Sequence, residues 1–204
     1  TVAVTPHKPP YLVATDKRVV KQGETFVVRY FAPNGEAQDR IAVVTAGGDA
    51  TTDARMWLPP YEASFSGSVT FGSGALTPGG YEVVLLGDDD DEVARNAFWV
   101  VAPTAQPTLQ TAQPSFTVGE PITVTWDNAP ANRWDWLAIY SAGDPDLYNG
   151  YWGYLYTKAT VAGRATFDRE TLGEELLPPG DYTARLLLDD GYAVLAETDF
   201  TVTE

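Results

Sequence analysis

Few residues in this chain can do covalent chemistry. It has one histidine, His7, and no cysteine. A Ser-His-Asp triad or a histidine-rich metal site would have to be built around that one ring, which sits in a proline-flanked segment. Thiol chemistry is excluded. No G-x-x-x-x-G-K-[ST] loop is present, and Gly47, Gly48, Gly72 and Gly74 read as turn glycines rather than phosphate cradles. Two carboxylates can hydrolyse a glycoside, but the acids here cluster in turn-like segments and nothing marks one for a raised pKa. The expectation is a chain that is not an enzyme.

Two runs carry binding chemistry instead. Asp88, Asp89, Asp90, Asp91 and Glu92 place five carboxylates in sequence. Calcium needs several oxygens converging at once, and such a turn supplies some. The run lacks the Asp-x-Asp-x-Asp-Gly spacing of a dedicated calcium loop, so a solvated hairpin tip stands beside the calcium reading. Asp144 and Asp146 form a weaker candidate of the same kind. No cofactor is expected otherwise. The second run is aromatic, from Leu147 to Thr157. In a regular strand Tyr148, Gly150, Trp152, Tyr154 and Tyr156 share one face, and Tyr151, Gly153 and Leu155 take the other. Such a row makes a flat platform suited to sugar rings or to a protein partner. The competing reading is that the row covers the core or packs on a neighbouring domain.

The elements that must position these residues come in two copies. Shifted by 96, residues 19–71 fall on 115–167 without a gap, so that Gly23 meets Gly119, Asp39 meets Asp135, Ala42 meets Ala138 and Gly67 meets Gly163. Five residues are then inserted in the second copy. A repeat of about a hundred residues is a small domain rather than a solenoid unit. The expected domains are 1–103 and 104–204, joined by a short segment with two prolines that reads as a semi-rigid linker. What both copies share reads as fold, and what one copy alone has reads as function. The aromatic row and the acidic run belong to the second group.

Within each copy the apolar residues alternate, and turn residues recur about every ten positions. Phe26, Val28 and Tyr30 share a face, as do Ile122, Val124 and Trp126. The segments 40–44 and 136–140 are nearly continuous apolar runs and read as central strands. Asp190 and Gly191 have the composition of a two-residue hairpin turn. No amphipathic helix is legible. About seven short strands per copy describe an all-β chain of two tandem immunoglobulin-like antiparallel β-sandwiches. Tyr81 and Tyr182 each follow a Pro-Gly turn at the head of a strand, the place of a tyrosine corner, where the phenol bonds nearby backbone. Their role is read as structural.

The formal charge is −15, from 28 acids against 13 bases. It falls unevenly: residues 1–103 hold 13 acids and 8 bases, residues 104–204 hold 15 acids and 5 bases. Such a surface repels nucleic acid and anionic lipid. No stretch approaches 18 apolar residues, so no membrane insertion is expected. Lysine is scarce beside alanine, glycine, aspartate and arginine, which hints at a GC-rich bacterial genome. The absence of disulfides suits an exported bacterial module better than a small secreted animal domain. The chain opens abruptly, as a processed or excised fragment would.

The segment from Trp134 to Gly143 resembles the Asp-Trp-[Ile/Val]-Gly-[Ile/Val]-[Tyr/Phe] strand of certain immunoglobulin-like domains. Similar segments occur in the N-terminal β-sandwich of purple acid phosphatases and in SKICH domains. The stretch 177–192, closed by Phe200 and Val202, and the Tyr-Trp-x-Tyr stretch at 151–154 resemble the same module. Copy one has Arg40 where copy two has Trp136, so its membership rests on the repeat. The resemblance implies a noncatalytic accessory or interaction module, extracellular or in the cell envelope, with an adjoining catalytic domain in the parent chain. The partner is then a protein. The alternative is a carbohydrate-binding module that uses Tyr148, Trp152, Tyr154 and Tyr156.

Overall fold

The structure, a computed structural model, describes residues 11–32, 40–58, 66–87, 90–173 and 177–204. Two compact units divide the chain, Thr1–Thr104 and Ala105–Glu204. His7, Asp39, Asp88 and Asp89 lie outside the described residues.

The first unit runs β1 (Leu12–Thr15), β2 (Val19–Lys21), β3 (Thr25–Phe31), β4 (Arg40–Thr45), β5 (Met56–Leu58), β6 (Ser66–Gly72), β7 (Gly79–Leu86) and β8 (Glu92–Val101). A three-stranded sheet has the order β1-β3-β6, and a five-stranded sheet the order β2-β8-β7-β4-β5. The second unit repeats the plan with β9 (Thr108–Thr111), β10 (Ser115–Thr117), β11 (Ile122–Asp127), β12 (Trp136–Ser141), β13 (Tyr151–Tyr156), β14 (Gly163–Phe167), β15 (Gly180–Leu187) and β16 (Val194–Thr203). Its sheets are β14-β11-β9 and β10-β16-β15-β12-β13. Neighbours are antiparallel, except that β2 runs parallel to β8 and β10 parallel to β16. Each unit is an immunoglobulin-like β-sandwich.

Alternation builds the space between the sheets. Phe26, Val28 and Tyr30 of β3 face Ile41, Val43, Val83, Leu85 and Phe98 of the larger sheet. In the second unit Ile122, Val124 and Trp126 face Leu137, Ile139, Ala184, Leu186 and Phe200. Across β11 and β14 the pair Trp126–Gly163 is directly opposite, and Tyr30–Gly67 is its counterpart. The large ring lies where the glycine has no side chain, so the two types are matched across the strands.

The larger sheet is apolar on its outer face as well, which explains the continuous runs in β4 and β12. Ala42, Val44, Val84 and Leu86 pack with Ala50 and Ala54 of the β4–β5 connection. Trp136, Ala138, Tyr140 and Leu187 pack with Leu147 and Tyr151. In both units the connection after the central strand folds back over the sheet and excludes water from that face. The Tyr140 hydroxyl donates to the Leu147 carbonyl at 2.9 Å, and burial pushes this phenol up to about 12.

Two local expectations are corrected. No helix was legible, yet α1 (Arg169–Leu172) occupies the insertion of the second copy. Asp168 caps it, accepting from the Glu170 and Thr171 amides while Thr171 Oγ1 accepts from the Asp168 amide. One capped turn is too short to leave a periodicity in the sequence. The Asp190-Gly191 hairpin turn is also longer than two residues, because β15 ends at Leu187 and β16 begins at Val194. Left-handed backbone falls on Asp189 and Asp190 (φ 43° and 58°) rather than on Gly191. The buried Asp135 carboxylate accepts from the Asp189 amide at 3.0 Å, and the Trp134 carbonyl accepts from the Asp190 amide at 2.8 Å. These bonds hold the loop open.

Candidate functional site: an aromatic face on the second unit

The β12–β13 ladder decides where the aromatic row points. Ala138 pairs with Tyr154 and Ile139 with Gly153, but Tyr140 pairs with Tyr151, so a bulge leaves Trp152 as the extra residue. Upstream of the bulge the phase of β13 is reversed. Trp152 therefore turns inward, packs against the core and meets the Tyr182 ring at 6.1 Å, while its indole N–H donates to Ser141 Oγ at 3.1 Å. Tyr151 turns outward in its place. The shared face expected for Tyr148, Trp152, Tyr154 and Tyr156 is thus corrected: Trp152 leaves it, and Tyr148 and Gly150 precede the strand. The cause is a one-residue register shift that a strict period of two does not register.

The outward rings gather around a cavity of about 200 Å³ lined by Trp136, Tyr151, Tyr154, Tyr156, Asp190 and Tyr192. They stand edge to face rather than in a plane. Trp136 meets Tyr151 at 5.8 Å and 78°, Tyr154 at 6.2 Å and 89°, and Tyr192 at 5.7 Å and 88°. Tyr151 meets Tyr154 at 81°, and Tyr154 meets Tyr156 at 84°. Of the two readings of the row, a flat platform and core packing, Trp152 follows the second, while the outward rings form a walled recess rather than a platform. Around its rim Tyr148 leans on Tyr192 at 5.2 Å, and Trp134 on Tyr156 at 5.4 Å. Tyr148 is 66% exposed, Tyr154 49% and Trp134 44%.

Each wall has a fixed origin. Trp136 is held by its indole N–H, which donates to the Gly191 carbonyl at 3.0 Å. The open β15–β16 loop brings Tyr192 and Asp190 back over the sheet. Tyr156 donates its hydroxyl to Asp190 Oδ1 at 3.1 Å. Burial, and then this bond to a carboxylate, raise the Tyr156 phenol above its ordinary value. Burial raises Tyr192 too, followed by its neighbours Tyr148 and Tyr151. The phenols of both residues therefore stay neutral at physiological pH. Asp146 shapes the β12–β13 loop by accepting from the Tyr148 and Asn149 amides, and the Asn149 bond leads in lowering its pKa.

Trp136, Tyr151, Asp190 and Tyr192 were not among the candidate residues. The signal for Trp136 was present, since it replaces Arg40 of the first copy. The others enter through loop geometry that no local pattern encodes.

The acidic run of the first unit is spread over ion pairs in its described part. Asp90 pairs with Arg40, and Glu92 with Arg95 at 2.6 Å. Hydrogen bonding to Arg95 holds the Glu92 carboxyl below its ordinary value. Asp91 is exposed. Among the described residues no three His, Cys, Asp or Glu side chains come together as a metal would need. Tyr81 donates to the Thr77 carbonyl at 2.9 Å and Tyr182 to the Pro178 carbonyl at 2.7 Å, so both are tyrosine corners. A second recess, of about 360 Å³, lies along β13 and β14 and is backed by Trp126 and Leu155.

No family model matches the chain, and no curated protein does. Solved structures do. A biofilm-associated protein BSP domain is 15% identical with a TM-score of 0.35, covering 95% of this chain and 30% of that one. The teleost fish polymeric Ig receptor ectodomain is 12% identical with a TM-score of 0.31, covering 94% and 97%. Murine CEACAM1b is 11% identical with a TM-score of 0.33, covering 95% and 98%. This chain thus spans less than a third of the biofilm protein's length. At such identities the likeness concerns fold alone.

Proposed function

We propose that this chain is a noncatalytic interaction module whose binding surface is the aromatic face of the second unit. One observation carries the reading: large aromatic side chains stay exposed around a recess instead of entering a core that is already filled. Exposed apolar patches of this kind on soluble domains are commonly functional. Tyr and Trp give such a patch area at low entropic cost. The first unit has no comparable cluster among its described residues, which fits a scaffold beside a binding unit. Cell-envelope or extracellular placement, and a catalytic domain next to it in a longer parent chain, follow from the resemblance of residues 134–143 and 177–192 to phosphatase accessory domains. They belong to the same proposal.

A carbohydrate ligand is the second reading. The edge-to-face walls do not offer the coplanar row that a sugar chain stacks on. The observation that keeps the reading is the exposed Tyr148 ring, tilted 40° to Tyr192 at the rim.

The full chain, immobilised and probed with panels of extracellular proteins and of polysaccharides, tests both. Binding is expected to be lost in a Tyr148→Ala/Tyr154→Ala double variant and kept in Trp57→Ala. Binding indifferent to the double variant would overturn the proposal. Retention on polysaccharide that depends on Tyr148 would favour the glycan.

A further inference from the structure

The two units answer the same position in different ways. In the first, Ala42 pairs with Trp57; in the second, the equivalent Ala138 pairs with Tyr154. The first unit places the Arg40 guanidinium over the Trp57 ring at 4.5 Å, and Asp90 of the β7–β8 loop clamps that guanidinium from the side. Ring, cation and carboxylate complete one another. The second unit keeps the ring as Tyr154 and a carboxylate as Asp190 of the β15–β16 loop. Asp90 and Asp190 even share the left-handed backbone, φ 63° and 58°. At the position of Arg40, however, it has Trp136. The cation is gone, and further rings stand around the place it left. The six residues lining the cavity include no lysine or arginine. Two bases lie on the same outer face but do not line the cavity: Arg133 sits over the rim ring Trp134 at 4.7 Å, and Arg185, opposite Ala138, sits over Tyr140 at 4.8 Å and pairs with Glu197.

We infer that the recess is an aromatic cage for an organic cation of the trimethylammonium type. This rests on the reading of that face as the binding surface and names its ligand class. Aromatic faces attract cations through their quadrupole, and the Tyr151, Tyr154, Tyr156 and Tyr192 rings stand around the recess beside the buried Trp136. Asp190 supplies the counter-charge, in a half of the chain that carries 15 acids against 5 bases. A primary ammonium brings three N–H donors and a guanidinium five, each needing an acceptor when desolvated. The cage offers one carboxylate, already accepting from Tyr156. A quaternary ammonium has no N–H to satisfy. The volume also suits a headgroup, being below the ~300–1,000 Å³ of pockets for drug-sized ligands.

The test is calorimetric titration of the full chain with choline chloride and with its neutral isostere 3,3-dimethyl-1-butanol. Choline is expected to bind about tenfold tighter than the isostere. Tyr154→Leu, at an exposed site, is expected to remove most of that preference. Trp136→Arg restores the first unit's own cation and is expected to abolish choline binding; should it fail to fold, Tyr154→Leu decides alone. A trimethyl-lysine peptide separates the sources: tighter binding than choline points to a modified side chain, equal binding to a free headgroup. Equal affinity for the isostere would overturn the cage while leaving the face a binding surface. No choline heat, with the protein or polysaccharide binding described above intact, would overturn the cage alone. Loss of both would remove the cage and the face together.

Discussion

At Tyr182 one hydroxyl ties the head of β15 to the turn before it, and the ring beneath stacks on Phe200 at 5.6 Å. Tyr182→Phe keeps the ring and removes the bond, so a loss of about 1 kcal/mol is expected. Urea unfolding with an unchanged m-value measures it; an unchanged midpoint would mean the corner contributes nothing. Gly163 makes the opposite kind of demand. A methyl group there would overlap the Trp126 ring, as one at Gly67 would fall 2.6 Å from Tyr30 Oη. Each ring is held by its core, so Gly163→Ala is expected to cost about 1–3 kcal/mol by overpacking. A midpoint equal to the parent's would show that Trp126 repacks freely. The repeat marks both kinds of site, because the glycine and the corner tyrosine recur in each copy; that each glycine faces an aromatic ring appears only in the strand register.

At the scale of the element, the bulge in the β12–β13 ladder sorts one strand into two roles. Trp152 belongs to the core and Tyr154 to the surface, although strict alternation puts them together. Trp152→Ala is expected to cost about 2 kcal/mol, less than the 3–5 of a fully buried tryptophan, with the recess intact. Tyr154→Ala, half exposed but in contact with three rings, is expected to cost less, about 1 kcal/mol, while changing what binds. Parallel measurement of stability and binding on both variants separates the roles; the reverse pattern would refute the register. The strands themselves were legible from their period, and the tyrosine corners from the turn before them. The recess was not. Its walls come from 136, 151–156 and 190–192, segments brought together by sheet pairing and by a loop held open at Asp135. Local patterns carry none of that, and the bulge removed one of the four residues they had pointed to.

At the scale of the whole molecule, the shared topology matters more than the differences between units. In each, an early strand lies parallel to the last one: Val19–Lys21 along Trp99, Val100 and Val101, and Ser115–Thr117 along Thr201, Val202 and Thr203. The chain passes first through β1 or β9 of the smaller sheet, then runs into the early strand of this pair at one end and leaves by the last strand at the other. Tension on a tethered chain would therefore load the hydrogen bonds of the pair together, in shear, and they would have to break at once. An antiparallel hairpin pulled from its open end parts one bond at a time. Each unit should thus resist stretching as a clasp does, yielding late and abruptly. Single-molecule pulling from the two termini is expected to give two separate rupture peaks, with Phe116→Pro, which breaks the second clasp, lowering one of them. A smooth, low-force extension would show that the parallel pairs bear no load.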